Sequence, residues 1–196
     1  KTKNGYINGE FTLTNLNNYF LKTNFKSSWD LQETNQYFKK SNFKGLKGRV
    51  FTNTYYEGNI AFDHRFKRRF LNANHKSEIK LENVKYNYKE SPLDFTFESL
   101  NGKLNKQKIL VNSSQITISE TDFVFTGEIL NLIAYTLKEA PKIYIDGDIK
   151  STYTNFSEIM SLGDISSNNE QQISEPILPN WINTNTNVNI HNFSYN

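Results

Sequence analysis

The chain has 196 residues, of which 14% are aromatic and 22% are charged, and its formal net charge is +3. This length suffices to bury a core, and the evenly patterned apolar residues exclude a disordered chain. The absence of cysteine excludes disulfides and thiolate metal sites. Lys and Arg do not alternate with stacking aromatic residues along any predicted element, which argues against a nucleic-acid partner. The longest apolar run is far shorter than the ~18 residues that cross a bilayer.

Most of the sequence alternates polar and apolar residues between turn residues, which is typical of short strands. The predicted strands lie at 5–16, 21–31, 48–62 (a pair broken near 57–58), 77–90, 93–100, 109–118, 122–129, 142–152 and 183–196. Turns are predicted at 101–102 and 105–107, and the charged stretch 64–76 is predicted to be irregular.

Helical segments are few and short. The sequence predicts a helix at 32–40, a second at 130–139 that Pro141 ends, and a helical turn at 156–162. Residues 163–179 are rich in Ser, Asn, Gln and Glu without periodicity, so we expect a flexible loop there. The fold class is therefore predicted as mainly β, a long curved antiparallel meander that forms a groove-like sheet with two or three short helices.

A short motif occurs three times, at 11–16, 79–84 and 188–193. In each copy two alternating apolar residues precede an Asn, and the next apolar residue is one position out of phase. A β-bulge at the Asn would return both halves to one face of the sheet, and Asn tolerates the left-handed backbone that such a bulge uses. We therefore expect bulges at Asn15, Asn83 and Asn192. Chance similarity in an Asn-rich chain is the alternative.

Several segments, in their order along the chain, resemble the AsmA-like proteins of the Bacteroidetes type. The segments are FESLNG at 97–102, DFVFTGEILN at 122–131, IYIDGDI at 143–149, FSEIMSL at 156–162, and ILPNWI at 177–182 leading into VNIHNFSY at 188–195. The resemblance covers residues 77–196 well and the first 76 residues loosely.

The resemblance implies a curved, mostly antiparallel sheet folded into a groove, akin to TamB and the bridge-like lipid-transfer proteins. Residues 1–196 would form a segment of one AsmA-like β-rich repeat region. The implied protein is periplasmic, associated with the cell envelope, and anchored to the inner membrane by a segment outside this chain. Its implied role is non-enzymatic, in phospholipid transport or outer-membrane homeostasis. The implied partners are phospholipid or another acyl lipid, an inner or outer membrane surface, and envelope proteins, with no cofactor.

A groove for acyl chains needs large apolar side chains on one face of the sheet. The candidate lining residues are Ile79, Leu81, Val84, Tyr86, Leu93, Phe95, Phe97, Ile116, Ile118, Phe123 and Phe125. The same alternation would also line the closed core of a sandwich. Residues 64–70 form a basic cluster that could contact a membrane. The candidate contacts to lipid phosphates are Arg65, Lys67, Arg68 and Arg69, and Phe66 and Phe70 would insert into the bilayer. A solvated basic loop is the alternative.

No catalytic constellation is found in the sequence, so we do not expect an enzyme. The histidines His64, His75 and His191 are far apart and lack partners at the spacing of metal ligands. Asp146 and Asp148 lack the remaining carboxylates of a calcium loop. The competing hypothesis is a surface adhesion or glycan-binding β-sandwich module, in which Tyr55, Tyr56 and Trp181 would stack on sugar rings.

Overall fold

A computed structural model describes residues 4–15, 17–35, 43–88, 93–164 and 181–195, and these form an open sheet that accounts for most of the chain. The strands are β1 (Tyr6–Thr14), β2 (Phe20–Asp30), β3 (Phe43–Asn59), β4 (Asn74–Tyr88), β5 (Asp94–Asn105), β6 (Lys108–Ile118), β7 (Thr121–Leu130), β8 (Ile143–Asn155) and β9 (Ile182–Ser194). The helices are α1 (Leu31–Asn35), α2 (Phe66–Asn72), α3 (Leu132–Thr136) and α4 (Phe156–Asp164).

The nine strands follow one another across the sheet in sequence order. Neighbours from β1 to β8 are antiparallel, which confirms the predicted meander. The pairing of β9 with β8 is parallel, so the sheet is mostly and not wholly antiparallel. A parallel pair needs a long crossover connection, and residues 156–181 provide it, beginning with α4.

Three local predictions are wrong. β3 continues through residues 57–58 without a break, and β5 continues through the predicted turn at 101–102. β3 and β5 each pair with a neighbouring strand on both sides. This pairing keeps the glycine-containing segments of β3 and β5 extended. The stretch predicted as irregular at 64–76 contains α2, in which Phe66 and Phe70 stack at the i, i+4 spacing of a helix.

The other elements agree with the sequence more closely. The turn at 105–107 joins β5 to β6, with Lys106 at φ 53°. The predicted helices at 130–139 and 156–162 are present as α3 and α4. The predicted helix at 32–40 begins as α1, and its residues 36–40 lie outside the described part of the chain. Of the loop predicted at 163–179, residues 163–164 belong to α4 and the rest lie outside the described residues.

The repeated Asn motif has a different structure in each copy. Asn83 has a left-handed backbone, with φ 50°. On either side of it Arg49 pairs with Glu82 and Lys47 pairs with Lys85. Two residues of β4, Asn83 and Val84, therefore lie opposite the single residue Gly48 of β3. This confirms the bulge at Asn83. Asn15 is also left-handed, at φ 55°, but it follows the end of β1 and belongs to a turn. Asn192 pairs in register within β9, so the bulge predicted there is wrong.

The sheet has one apolar and one polar face. Four cross-strand or same-strand ion pairs lie on the polar face, with nitrogen–oxygen distances of 2.5 to 3.6 Å: Lys22–Glu57, Lys80–Glu82, Lys103–Glu78 and Lys108–Glu128. Exposed pairs of this kind contribute little to stability. Their position instead identifies the polar face as the solvated one.

Candidate functional site

The candidate lining residues lie on a shared face of the sheet. Residues opposite each other in a ladder share a face, and the register aligns Val84, Phe97, Ile116 and Phe123 across four strands. Ten of the eleven candidates occupy this face by the same register: Ile79, Leu81, Val84, Tyr86, Phe95, Phe97, Ile116, Ile118, Phe123 and Phe125. The eleventh, Leu93, is buried immediately before β5.

The face extends well beyond these candidates. The strand register places further apolar residues on the same face, both on the outer strands and along the rest of the inner strands. They are Ile7, Phe11, Leu13, Leu21, Phe25, Trp29, Val50, Tyr56, Leu100, Leu104, Ile109, Val111, Ile129, Ile143, Ile145, Ile149, Ile182, Val188 and Ile190. The alternation that identified the central residues is present in these segments too, and would have identified them. We call the whole set the apolar face.

Burial varies across the apolar face. Val84 and Ile118 are buried, and most other members on interior strands are half-buried. At the two edges the side chains are exposed: Phe11 is 60% and Val188 is 58% accessible to solvent. The apolar face is therefore continuous from one edge of the sheet to the other and open at both edges.

No second sheet packs on the apolar face within the described residues, because all nine strands belong to one sheet. The helices lie at strand ends and contact the sheet there. Glu158 of α4 accepts a hydrogen bond at 2.7 Å from Thr121, the first residue of β7, which pairs with Ile118 of the apolar face. The helix α2 lies over another end, beside β3 and β4. There Phe70 of α2 stacks on Tyr56 and on His75, with ring centroids 6.0 and 4.9 Å apart. The described residues thus form a single sheet with short helices at its strand ends, and not the two closed sheets of a sandwich.

Several hydroxyl groups on the apolar face are hydrogen-bonded to one another. The hydroxyl oxygens of Ser27 and Thr52 are 2.7 Å apart, and Trp29 Nε1 donates to Ser27 Oγ at 2.7 Å. Thr54 and Ser77 form a similar cross-strand pair at 2.9 Å. Since these groups satisfy each other, they present little free hydrogen-bonding capacity to a ligand.

Burial raises the pKa of Tyr86, which stacks on Phe95 with centroids 5.0 Å apart.

The predicted phosphate-contacting residues divide into two groups. Arg65 forms a two-pronged ion pair with Asp63, and its side-chain hydrogen bonds hold the pKa of that carboxyl well below its usual range. Arg69 donates to the carbonyl of Ile60 at 2.7 Å. Lys67 and Arg68 have no partner among the described residues. Phe70, predicted to insert into a membrane, packs instead against the end of the apolar face.

The residues considered for metal binding remain apart. His75 is 2% exposed, and its Nε2 lies 3.0 Å from the carbonyl oxygen of Lys106. Asp146 and Asp148 accept hydrogen bonds from Asn185 and Asn187 on the polar face. In the part of the chain that the structure describes, no group of three His, Cys, Asp or Glu side chains could hold a metal ion.

The proposed sugar platform is not assembled. Adjacent strand residues point to opposite faces, so Tyr55 lies on the polar face, where its hydroxyl donates to Glu57, while Tyr56 is buried on the apolar face. Trp181 stacks on Tyr135 of α3. These three rings therefore do not form one exposed surface.

No helix in the described ranges combines the length and the hydrophobicity that a membrane span requires. Comparison with models of protein families, with curated proteins and with solved structures found no match to this chain.

Proposed function

We propose that this chain binds the acyl chains of lipids along its apolar face and that it acts, without chemistry of its own, in lipid transport or homeostasis in a cell envelope. The observation that carries the proposal is the single open sheet, with apolar side chains in register over all nine strands and no second sheet over them within the described residues. The sequence resemblance to AsmA-like proteins supports the same role, with a phospholipid as the partner and the periplasm as the location.

The dimensions of the apolar face suit this ligand. Eight spacings of about 4.8 Å make the face about 38 Å long across the strands. The hydrocarbon core of a bilayer, which is two acyl chains deep, measures about 30 Å. The face is thus long enough for two acyl chains end to end.

Binding on an open face depends on buried area. Two open clefts lie away from this face, one on the polar face beside Lys26 and Glu78 and the other beside α2. A chain on the sheet would bury about half of each CH2 group, which contributes about 0.4 kcal/mol per carbon. The paired hydroxyls leave few groups that would select a particular head group. We therefore expect affinity to increase with acyl length and to depend weakly on the head group.

The first test is mass spectrometry of lipid that co-purifies with the chain. The variants Phe11→Glu and Val188→Glu place a carboxylate on the apolar face at exposed positions, where folding tolerates it. Val124→Glu and Tyr144→Glu place the same charge at exposed apolar positions on the polar face. The first pair should reduce bound lipid several-fold and the control pair should not. Equal loss in both pairs, or no lipid in the parent chain, would contradict the proposal.

A second readout uses Trp29, which is on the apolar face. In the Trp181→Phe variant the remaining tryptophan reports on this face alone, and a lipid with brominated acyl chains should quench its fluorescence. The matched Trp29→Phe variant retains Trp181, which packs against α3, and should be quenched much less. Stronger quenching of Trp181 than of Trp29 would place the lipid away from the apolar face.

A further inference from the structure

The loop between β3 and β4 concentrates the positive charge of the protein. Residues 63–69 contain one carboxylate, Asp63, and four cations: Arg65, Lys67, Arg68 and Arg69. The segment therefore has a net charge of +3 with histidine neutral. The whole chain has 23 Lys and Arg against 20 Asp and Glu. Removing four cations and one carboxylate leaves nineteen of each, so the rest of the protein is neutral.

Exposed aromatic side chains accompany these cations. Phe62 is 87% accessible to solvent, and its ring contacts that of Tyr19, which is 38% accessible, with centroids 6.1 Å apart. Phe66, at the start of α2, is 45% accessible. We call Tyr19 and residues 62–69 the basic tip.

The cations of the basic tip are arranged side by side. Arg65, Arg68 and Arg69 line one open cleft next to Asn72. Arg65 and Arg69 are held by Asp63 and by the carbonyl of Ile60. Lys67 and Arg68 have no bound partner in the described part of the chain, which leaves their charges available to an external anion.

A row of stacked rings joins the basic tip to the apolar face. Phe66 stacks on Phe70 with centroids 5.8 Å apart, and Phe70 stacks on Tyr56, a member of the apolar face, at 6.0 Å. An apolar ligand that moves from the tip to the sheet would therefore contact aromatic rings along its whole path.

We propose that the basic tip docks the protein on the surface of an anionic lipid bilayer, at the end of the apolar face onto which lipid passes. Lys67 and Arg68 contact lipid phosphates, and Phe62 and Phe66 enter the interface between head groups and acyl chains. A bilayer accommodates both features, since its surface is anionic and its interior accepts a ring without polar groups. A partner that presents only phosphate groups, such as a polyphosphate, would leave Phe62 without a role. The transfer step in this proposal rests on the proposed acyl-chain binding, whereas docking itself does not.

The charge requirement is tested by co-sedimentation of the chain with vesicles of phosphatidylglycerol and phosphatidylcholine. Each cation near an anionic surface contributes a roughly five-fold gain in binding, so Lys67→Gln with Arg68→Gln should weaken binding on the order of 30-fold. The control, Lys26→Gln with Lys150→Gln, removes two exposed charges from strands β2 and β8 and should bind like the parent chain. Raising the ionic strength from about 0.1 to about 1 M, which shortens the Debye length from ~10 to ~3 Å, should release the parent chain.

The insertion requirement is tested by Phe62→Ser, which should weaken vesicle binding several-fold without affecting folding. Phe193→Ser is the matched control, because this ring is 76% exposed near the end of β9. Loss of binding in the charge variant with full binding by Phe62→Ser would identify a general polyanion site and overturn the bilayer assignment. Equal binding to pure phosphatidylcholine vesicles would also overturn it.

The two proposals fail in different ways. If the parent chain binds anionic vesicles through the tip but holds no lipid after purification, acyl-chain binding is wrong and docking is retained. If the tip variants bind vesicles like the parent chain while the parent chain co-purifies with lipid, docking is wrong and acyl-chain binding is retained. If both hold, the tip variants should keep their bound lipid but exchange it with vesicles at least about tenfold more slowly.

Discussion

At the scale of single residues, the shape of the apolar face depends on the backbone of Asn83. Its left-handed conformation places Leu81 and Val84, which are three residues apart, on the same face. The opposite residue, Gly48, has φ 111°, and a Cβ atom there would lie 2.5 Å from the carbonyl oxygen of Asn83. Only glycine fits at that distance, so the two residues form the bulge together.

The first residue-scale prediction concerns Asn83→Val. A β-branched residue in the left-handed region is strained, so this substitution should lower the free energy of unfolding by about 1–3 kcal/mol. Asn192→Val is the matched control, because Asn192 occupies the same place in the sequence motif but pairs in register in an edge strand. The control should change stability by less than about 0.5 kcal/mol.

Urea denaturation followed by circular dichroism measures both free energies, provided that the unfolding slope is unchanged. Asn83→Gly is a useful third variant, because glycine adopts the left-handed region without strain and should be nearly neutral. Equal destabilisation by both valine substitutions would show that the motif and not the backbone angle determines the cost.

The Asn motif also shows where prediction from sequence ends. The three copies share their spacing, yet Asn83 forms a bulge, Asn15 begins a turn with Asn18, and Asn192 is an ordinary strand residue. The intrinsic tolerance of Asn for left-handed angles is the same in all three. The bulge forms at Asn83 because a partner strand supplies Gly48 opposite it, and that long-range pairing is not visible in a six-residue pattern.

At the scale of elements, α4 is anchored to the sheet by Thr121 and Glu158. Thr121 is fully buried, and its hydroxyl donates to Glu158 Oε2 at 2.7 Å and accepts from the backbone of Asn155 at 3.0 Å. Glu158 also accepts from the backbone amides of Glu120 and Thr121, at 3.1 Å each. One carboxylate thus connects the turn between β6 and β7 to the first turn of α4.

Thr121→Val should therefore destabilise the chain by about 1–3 kcal/mol, because it keeps the shape of the side chain but leaves a charged acceptor and a buried amide with one partner fewer. Thr23→Val is the matched control. Thr23 is buried on the apolar face, but its hydroxyl has no hydrogen-bond partner among the described residues. Its replacement should be neutral or slightly stabilising.

Thermal unfolding of the two variants measures this difference directly, and hydrogen exchange adds a local readout at the amides of Glu120 and Thr121. Faster exchange there in Thr121→Val, without global destabilisation, would mean that α4 separates locally from a sheet that remains folded. A stability loss in Thr23→Val as large as that in Thr121→Val would contradict the hydrogen-bond explanation.

The sequence predicted some of the short helices and missed one. α3 and α4 follow the sequence because Leu132–Thr136 and Phe156–Asp164 lie between clear strand patterns. α2 was missed because its seven residues are mostly cationic or aromatic and carry no core periodicity. Its stability comes from Phe70 stacking on Tyr56 of β3 and on His75 of β4, which are tertiary contacts with the two strands that flank the helix.

At the scale of the whole molecule, alternation predicted which residues share a face but not what covers it. The central candidates lie in register as expected, and the same pattern would have served a sandwich equally well. The number of layers depends on whether the chain folds back on itself, and every strand here pairs with the next one in sequence. The parallel pairing of β9 was not predictable, because alternation is identical in parallel and antiparallel strands.

The two edges of the sheet are unusual for an isolated protein. β1 contains one charged residue, Glu10, and β9 contains none apart from the titratable His191. Neither strand shows a register shift with its neighbour. Long, regular edges with few charges and no bulges expose unpaired backbone groups and favour association with other strands. Both also expose apolar residues, including Leu13 at 50% and Val188 at 58%.

We therefore predict that the isolated chain self-associates with increasing concentration and that Thr12→Lys with Asn189→Lys weakens this association at least about tenfold, or ~1.4 kcal/mol. Both positions are exposed on the edge strands, and lysine there opposes the addition of a further strand. Gln115→Lys with Thr117→Lys adds the same charge to β6, which has neighbours on both sides, and should leave association unchanged. Sedimentation velocity over a concentration series measures the effect. If both double variants disperse the chain equally, net charge and not the strand edges controls association.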